Sequence, residues 1–406
     1  MTLSVCYLLP RLHVGPAGIV VGGCAGNCTS LALELKRQGV QIELLAPVPQ
    51  EEAVHLSGHP LAGIVRPLPE AGTGLMTKGF AAIHALRRAL RRRLQENHVD
   101  VVHCHSGTFP YAVVPLAAAS KRCARLHSLY CPLGAKGGVY GSWWERPRIA
   151  GMLLNRLDRV VAVTGNVRRS VERMGVRPEK VESIPMCVDT RRFCPREHRG
   201  PAQHFPVGIS GPKLLFVGNA SKQKGLLELL DAVAILKSKG IVVTLAATIE
   251  NQSRIKEYST RYEQAKEFVV ARGLDGQVKF LGLVDSIEDL YAEADIVVVP
   301  WNTSRGPSDY PMVLLEAMAM GKCVVTTPVG GCPELLRQGE AGILTEGFSA
   351  ERIAAGIESA LHDSRKTECI QRNALDAARD LSLEAGAKRL IALYEHLLEG
   401  KNHHAM

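Results

Sequence analysis

Short apolar runs alternate with stretches of helical periodicity along the whole chain. Leu3–Leu9 is a brief, mainly apolar run ending at Pro10, and Val40–Leu45, Val99–Val102 and Val160–Val163 are of the same kind. Leu31, Leu33 and Leu35 fall in a helical stretch that Gly39 closes. Runs this short, separated by helices, predict parallel strands buried on both faces. From Phe193 to Pro212 the periodicity stops and Pro and Gly crowd together, which reads as a linker. A second alternation then starts afresh. It has strands at Lys213–Val217, Ile241–Ala246, Val278–Leu281, Asp295–Val299 and Lys322–Thr326. Helices are expected at Gly225–Ser238, at Arg254–Arg272, and in succession from Ser349 to Leu398. The pattern describes two doubly wound α/β domains, residues 1–192 and 213–380, joined by 193–212. Such a pair takes its ligand in the cleft between the domains, beyond the carboxyl ends of the strands.

Length agrees, since 406 residues are enough for two full cores. Aromatic residues make up only 5% of the chain, which argues against a stacking platform for nucleic acid. The net charge of +9 is unevenly spread. Residues 1–200 hold 27 Lys and Arg against 14 Asp and Glu, and residues 201–406 hold 22 against 26. The basic excess therefore lies in the first half and points to an anionic partner there. The eleven cysteines are odd in number and form no C-x-x-C, which favours a reducing, cytoplasmic setting. Met1–Pro10 lacks the basic start of a signal peptide, and no run of about 18 apolar residues is present. Among candidate metal ligands around Cys104, only His103 and His105 can share a strand face. No metal is expected.

Two loops carry candidate chemistry. Gly15–Gly26 is glycine-rich and precedes a helix, so its backbone can approach a phosphate or a sugar, although Val21 breaks the dinucleotide pattern. The stretch from Gly306 through Ser308, Asp309, Tyr310 and Pro311 runs directly into a helix whose first turn is Met312–Leu315. Exposed amides at a helix N-terminus suit a diphosphate. Glu316, about one turn further along, can accept hydrogen bonds from a pair of ribose hydroxyls, and its apolar neighbours Leu314, Leu315, Ala317 and Met318 imply that it has a partner. The alternative for Asp309 is a plain N-cap.

The order of these motifs resembles the retaining family-4 glycosyltransferases of the GT-B fold. The matching pieces are Gly22-Gly23 with Leu31–Leu35, DVVHCH (Asp100–His105), RLHSLY (Arg125–Tyr130) and LDRVVAVT (Leu157–Thr164). They continue with IPMCVD (Ile184–Asp189), FVGNASKQKG (Phe216–Gly225), VKFLGLV (Val278–Val284) and the long segment Tyr310–Leu336. The resemblance implies two Rossmann-like domains, with helices around 381–398 packing back on the first. It implies transfer of a hexose or N-acetylhexosamine from a nucleotide-diphosphate sugar, a UDP-sugar being favoured, to an acceptor hydroxyl with retention. It assigns Lys224 to the leaving diphosphate, His127 to the transferred sugar and Glu316 to the ribose. Gly22, Gly23, Asn219, Val284, Ser308, Asp309 and the backbone of Tyr310, Pro311, Met312 and Val313 complete the donor contacts. No cofactor is implied. Two positions depart from the family pattern. Asn219 stands where an Arg is usual, with Lys222 as its candidate substitute, and Ser308 stands at the first acid of the Glu-x7-Glu pair. Two other classes remain open here: a nucleotide-sugar epimerase of the same fold, and a non-catalytic sugar-nucleotide-binding protein.

One further segment is distinctive. Across Lys78–Asn97, Phe80, Ile83, Leu86, Leu90 and Leu94 form one helical stripe flanked by Arg87 and Arg93, and Arg88, Arg91 and Arg92 cluster opposite. The stripe predicts a packed helix. The basic face suits an anionic or lipid-linked acceptor, or peripheral contact at the inner face of the cell membrane, with Trp143, Trp144, Arg146 and Arg148 as a candidate anchor. This would place the enzyme in cell-envelope glycan or glycolipid synthesis. No nucleic acid partner is expected.

Overall fold

The computed structural model describes residues 2–15, 20, 22–68, 75–106, 111, 113–118, 123–134, 147–196, 203–249, 256–282, 284, 286–303 and 308–403. Two compact units emerge. The first gathers residues up to Cys187, together with Ser308, Asp309 and the chain from Leu383 onward, and the second gathers Val188 to Thr303 and Tyr310 to Ser382.

In the first unit seven parallel strands are β1 (Ser4–Leu8), β2 (Gln41–Pro47), β3 (Val65–Leu68), β4 (Val101–Ser106), β5 (Ala124–Leu129), β6 (Arg159–Ala162) and β7 (Val181–Ser183). Their order in the sheet is β3-β2-β1-β4-β5-β6-β7. Helices α1 (Gly23–Arg37), α2 (Gln50–Ala53), α3 (Leu75–Glu96), α4 (Pro147–Leu154) and α5 (Gly165–Arg173) connect them. β1 shows why unbroken apolar runs form such strands. Val5 and Tyr7 enter one core with Leu31 and Leu35 of α1, while Cys6 and Leu8 enter another with Leu86 and Leu90 of α3. Alternate side chains thus fill both faces.

The second unit repeats the plan with β8 (Lys213–Gly218), β9 (Thr244–Ile249), β10 (Val278–Leu281), β11 (Ile296–Val299), β12 (Cys323–Thr326) and β13 (Ile343–Leu344), ordered β10-β9-β8-β11-β12-β13 and parallel throughout. Its helices are α6 (Leu226–Ser238), α7 (Lys256–Ala271), α8 (Ile287–Glu293), α9 (Met312–Ala319), α10 (Cys332–Leu335), α11 (Ala350–His362) and α12 (Ser364–Asp380). The last helix, α13 (Leu383–His403), returns to the first unit, where Leu390, Tyr394 and Leu397 share the core of α1. The fold is GT-B, two Rossmann-like domains.

Two boundaries differ from the sequence reading. The strand expected at Ile241–Ala246 is β9, which starts at Thr244, because the Ile241 amide bonds Leu236 O and so closes the end of α6. The division between units falls at Cys187/Val188 rather than in 193–212. The described residues of the aperiodic segment are anchored. Phe193 is buried edge-on to Tyr291 of α8, Phe205 is buried, and the amide and ring of His204 both engage Glu293.

In both sheets the strand order reverses beside the first strand, between β1 and β4 and again between β8 and β11. The loops leaving these strands at their carboxyl ends are the places where such a sheet accepts ligands.

Candidate functional site

At the reversal in the second unit, β8 ends at Gly218 and the chain turns at once. The Asn219 side chain accepts a hydrogen bond from the Ser221 amide at 3.1 Å, the local turn for which Asn is suited. One tight helical turn, Lys222–Lys224, follows. Gly225 then takes φ 70°, and a Cβ there would lie 2.0 Å from Pro300 O. Glycine is therefore required both by the left-handed backbone and by close approach to the end of β11. The result places the Lys224 ammonium 3.6 Å from the centroid of the buried Trp301 ring. Asn302 completes the junction, its amide bonding Gln223 O at 3.2 Å and its side chain bonding Lys222 O at 2.8 Å. Lys222 itself is exposed.

The loop before α9 ends at Pro311, which serves as its N-cap without a side-chain cap. The amides of Met312 and Val313 thus occupy the positive end of the helix. Glu316 lies one turn on, the residue partly exposed but its carboxyl enclosed, and its Oε2 accepts a hydrogen bond from the Tyr291 hydroxyl at 2.8 Å. Burial pushes the Glu316 carboxyl above its ordinary range, against the opposing pull of the Tyr291 bond and the positive Arg192. Arg192 is ion-paired with Glu288, so Arg192, Glu288, Tyr291 and Glu316 form one linked set. Val284 is half-buried just beyond β10, where Gly282 O is held by the Thr248 hydroxyl at 2.8 Å.

Asp309 corrects an expectation. It caps no helix of its own; Pro311 holds that position. Its amide donates to Tyr130 O at 2.7 Å, and its carboxylate accepts from Thr164 Oγ1 at 2.6 Å and Asn166 Nδ2 at 3.0 Å. Thr164 is the N-cap of α5, so the buried charge lies against the positive end of that helix. Ser308 and Tyr310 are buried on either side, which leaves Tyr310 only its backbone to offer a ligand.

In the first unit Gly22 takes φ 101° and caps α1, Gly23 opens the helix, and the Gly26 amide bonds Gly22 O at 2.8 Å. His127, expected at the transferred sugar, lies within β5 with no exposed surface, near His103 and His105. Those two do share a strand face, their rings 4.1 Å apart, but both nitrogens of His103 turn to hydroxyls, Tyr394 at 2.7 Å and Ser128 at 2.8 Å, and Nδ1 of His105 turns to Tyr130 at 2.9 Å. Burial drives both below the usual histidine range, His105 to about 3.

The α3 stripe packs as expected, with Leu86 and Leu90 fully buried and Ile83 and Leu94 against the same core. Arg88, Arg91 and Arg92 are exposed and Arg87 half-buried. Arg87, Arg88 and Arg91 line a surface hollow of about 620 Å³ with Ile83 and His84. Arg88 is bonded to His84 at 2.9 Å and Arg92 to Glu96 at 2.8 Å. The side chains of Phe80 and Arg148, and the whole of Trp143, Trp144 and Arg146, lie outside the described residues. Among the described residues, no helix is long and apolar enough to cross a membrane. Tyr291, Trp301 and Asn302 escaped the sequence reading; the available signal was a Pro-Trp pair directly after an apolar run.

Comparison with known proteins agrees with this geometry. Residues 21–192 match the model described as Glycosyltransferase Family 4, and residues 211–363 the model described as Glycosyl transferases group 1. A D-inositol 3-phosphate glycosyltransferase of Salinispora tropica is 26% identical, the alignment covering 94% of this chain and 83% of that protein. An N-acetyl-alpha-D-glucosaminyl L-malate synthase of Bacillus anthracis is 24% identical over 77% of each. Among solved structures, a glycosyltransferase from Rickettsia africae superimposes with a TM-score of 0.76 at 18% identity, over 98% of this chain and 99% of that one. Anabaena HepE, crystallised with UDP-glucose, gives 0.70 at 20% identity, over 97% and 100%. The chain belongs to the family-4 glycosyltransferases of the GT-B fold.

Proposed function

We propose that the chain transfers a hexose or N-acetylhexosamine from a nucleotide-diphosphate sugar, most suitably a UDP-sugar, to an acceptor hydroxyl with retention of configuration. The observation that carries this reading is the pairing, in one unit, of a positioned ammonium with an anchored carboxylate. Lys224 is fixed at the sheet reversal, and Glu316 is fixed by Tyr291 on the helix that begins at Met312. As the sugar departs, negative charge grows on the leaving diphosphate, and a preorganised cation with helix amides lowers the energy of that state. Glu316 accepts from the ribose hydroxyls and sets the nucleotide's register. The names of the S. tropica and B. anthracis relatives and the UDP-glucose complex of HepE support a nucleotide-sugar donor.

The acceptor belongs to the first unit, whose charge excess and arginine-lined α3 suit a phosphorylated or lipid-linked molecule. A cytoplasmic enzyme working at the inner face of the membrane, in cell-envelope glycan or glycolipid synthesis, fits these features. His127, enclosed in β5, gains no support from the geometry as a contact to the sugar. Thermal-shift measurement with UDP, GDP, ADP and their glucose and N-acetylglucosamine derivatives tests the donor reading. A ligand at 100 times its Kd stabilises by about 2.7 kcal/mol. NMR of the product anomer tests retention. Absence of a shift with every nucleotide, or wild-type transfer by Lys224→Ala or Glu316→Ala, overturns the proposal.

A further inference from the structure

We infer that Arg192 is a positioning residue for the donor's ribose: by pairing with Glu288 it neutralises the second acid beside Tyr291 and leaves Glu316 to serve as an ionised acceptor. This rests on the assignment of Glu316 to the ribose hydroxyls. All four residues belong to the second unit. Glu288 and Tyr291 stand three apart on α8, so their side chains leave that helix as neighbours. The Tyr291 hydroxyl bonds Glu316 Oε2 at 2.8 Å and lies 3.5 Å from Val313 O, which holds the carboxylate beside the first turn of α9. Two largely enclosed acids thus flank one phenol. Arg192 reaches them from the segment that follows β7. Its guanidinium pairs with Glu288, whose other oxygen accepts from the Ser286 hydroxyl at 3.3 Å. The same guanidinium rests 4.9 Å from the centroid of the Phe193 ring, and that ring stands edge-on to Tyr291 at 6.0 Å. Arg196 fastens the stretch from the far side, bonding Arg192 O at 3.1 Å and Asp289 at 3.3 Å.

The electrostatics favour this role over simple packing. Like charges at this depth oppose each other's ionisation, and an unpaired acid beside Glu316 would favour its protonated form. An ionised carboxylate accepts from both hydroxyls of a ribose, whereas a protonated one turns a donor towards them. Arg192 removes that conflict. Burial pulls Glu288 up, but its bonds, that from Arg192 foremost, hold it below the ordinary glutamate range. At Glu316 the leading influence is burial, which raises the carboxyl; Tyr291 and then Arg192 oppose it, and Glu288 adds to it. The two members of the pair therefore act on Glu316 with opposite sign, which a packing role would not produce.

The test is calorimetric titration of the full-length protein with UDP, GDP and ADP, and with the 2′,3′-dideoxy form of whichever binds most tightly, from about pH 5 to about pH 8.5. The dideoxy form carries the same phosphates, so the difference in affinity between the two forms isolates the ribose contribution. In the parent that contribution is expected to fade as Glu316 takes up a proton. Arg192→Gln is expected to move the fading to higher pH by about one unit, the effect of one neighbouring charge on a carboxylate. At a fixed pH on that limb the Kd then rises by up to about tenfold. Glu288→Gln is expected to move the limb to lower pH, and the double variant to bring it back towards the parent. The double variant also decides the matter if Arg192→Gln alone fails to fold, because it leaves no unpaired acid. Arg192→Lys, which keeps the charge, is expected to restore most of the profile. A limb that Arg192→Gln leaves in place, or that Glu288→Gln displaces in the same direction as Arg192→Gln, overturns the inference. A dideoxy nucleotide that binds as tightly as its ribose form throughout, or an undiminished ribose contribution in Glu316→Gln, overturns instead the assignment beneath it.

Discussion

The Tyr291 hydroxyl stands 2.8 Å from Oε2 of Glu316 and gives a buried carboxylate its hydrogen-bonded partner. An acid at this depth is disfavoured in its charged form, and burial does raise the Glu316 carboxyl. A raised carboxyl favours the fold below the ordinary glutamate range and loses that contribution as pH climbs through its folded value. At neutral pH an ionised Glu316 therefore weighs against folding. Glu316→Gln is expected to raise the thermal midpoint at pH 7.5 and to flatten its pH dependence, while weakening donor binding by about tenfold or more, the value of hydrogen bonds to a charged acceptor. Differential scanning calorimetry together with nucleotide titration checks both halves; a less stable protein contradicts the assignment of strain to this side chain.

Tyr291→Phe leaves the ring and removes the donor. The Glu316 carboxyl is then expected to rise further, since the bond from Tyr291 is the largest influence holding it down. The acid limb of the kcat/KM profile should move to higher pH, with stability lowered by about 1–3 kcal/mol for the orphaned carboxylate. A pH–rate series against the parent decides it, and an unmoved limb separates Glu316 from catalysis.

Gly225→Ala is expected to lower stability by about 2–4 kcal/mol, combining a left-handed backbone unsuited to alanine with a Cβ driven into Pro300 O. Because relief requires the turn to move away from β11, Lys224 should move with it, and transfer should fall more than the fraction of folded protein does. Urea unfolding and activity measured on the same samples separate the two effects.

Much of this architecture is legible in the sequence because burial on both faces of a parallel sheet leaves a plain signature. β4, β6, β11 and β12 fall within a residue or two of the apolar runs at Val99, Val160, Asp295 and Lys322. β9 is displaced because the residues after α6 are as apolar as a strand while closing the helix. Glu316 is legible because a lone acid among leucines and alanines must have a reason. Its partner is not, since Tyr291 sits on another helix and reads as an ordinary core aromatic. The partners of Asp309 are hidden for the same reason: a helix follows it in the chain, but Thr164 and Asn166 come from a remote part of the sequence. Burial of His127 is equally silent, because RLHSLY is legible only as a family motif, which does not say how deep in a strand the histidine lies.

The buried pair His103 and His105 predicts how the first unit responds to acid. Both are depressed by burial, so each favours the fold above the usual histidine range and loses that contribution as pH falls, His105 down to about 3. Below pH 6.5 each is expected to remove about 1.4 kcal/mol of stability per pH unit. His105→Gln should remove one share of that slope while keeping a polar group beside Tyr130. Denaturant titrations between pH 7.5 and 4.5 measure it; equal slopes in variant and parent would mean that His105 is protonated in the folded chain.

The α3 arginines predict a behaviour that the core does not require. Arg87 and Arg91 line the hollow, and their replacement by serine leaves the Leu86 and Leu90 packing untouched. Each is expected to weaken association with vesicles of anionic lipid about fivefold at low salt, from roughly 1 kcal/mol per basic group near such a surface. Binding should also fall as ionic strength shortens the screening length towards 8 Å. Donor affinity, which the proposed function assigns to Lys224 and Glu316 in the other unit, should stay as it was. Co-sedimentation with neutral and anionic vesicles distinguishes a membrane role from binding of a soluble phosphorylated acceptor, which would show as a rise in acceptor KM without any vesicle dependence. Unchanged vesicle binding together with an unchanged acceptor KM would make the basic face of α3 a solvated surface.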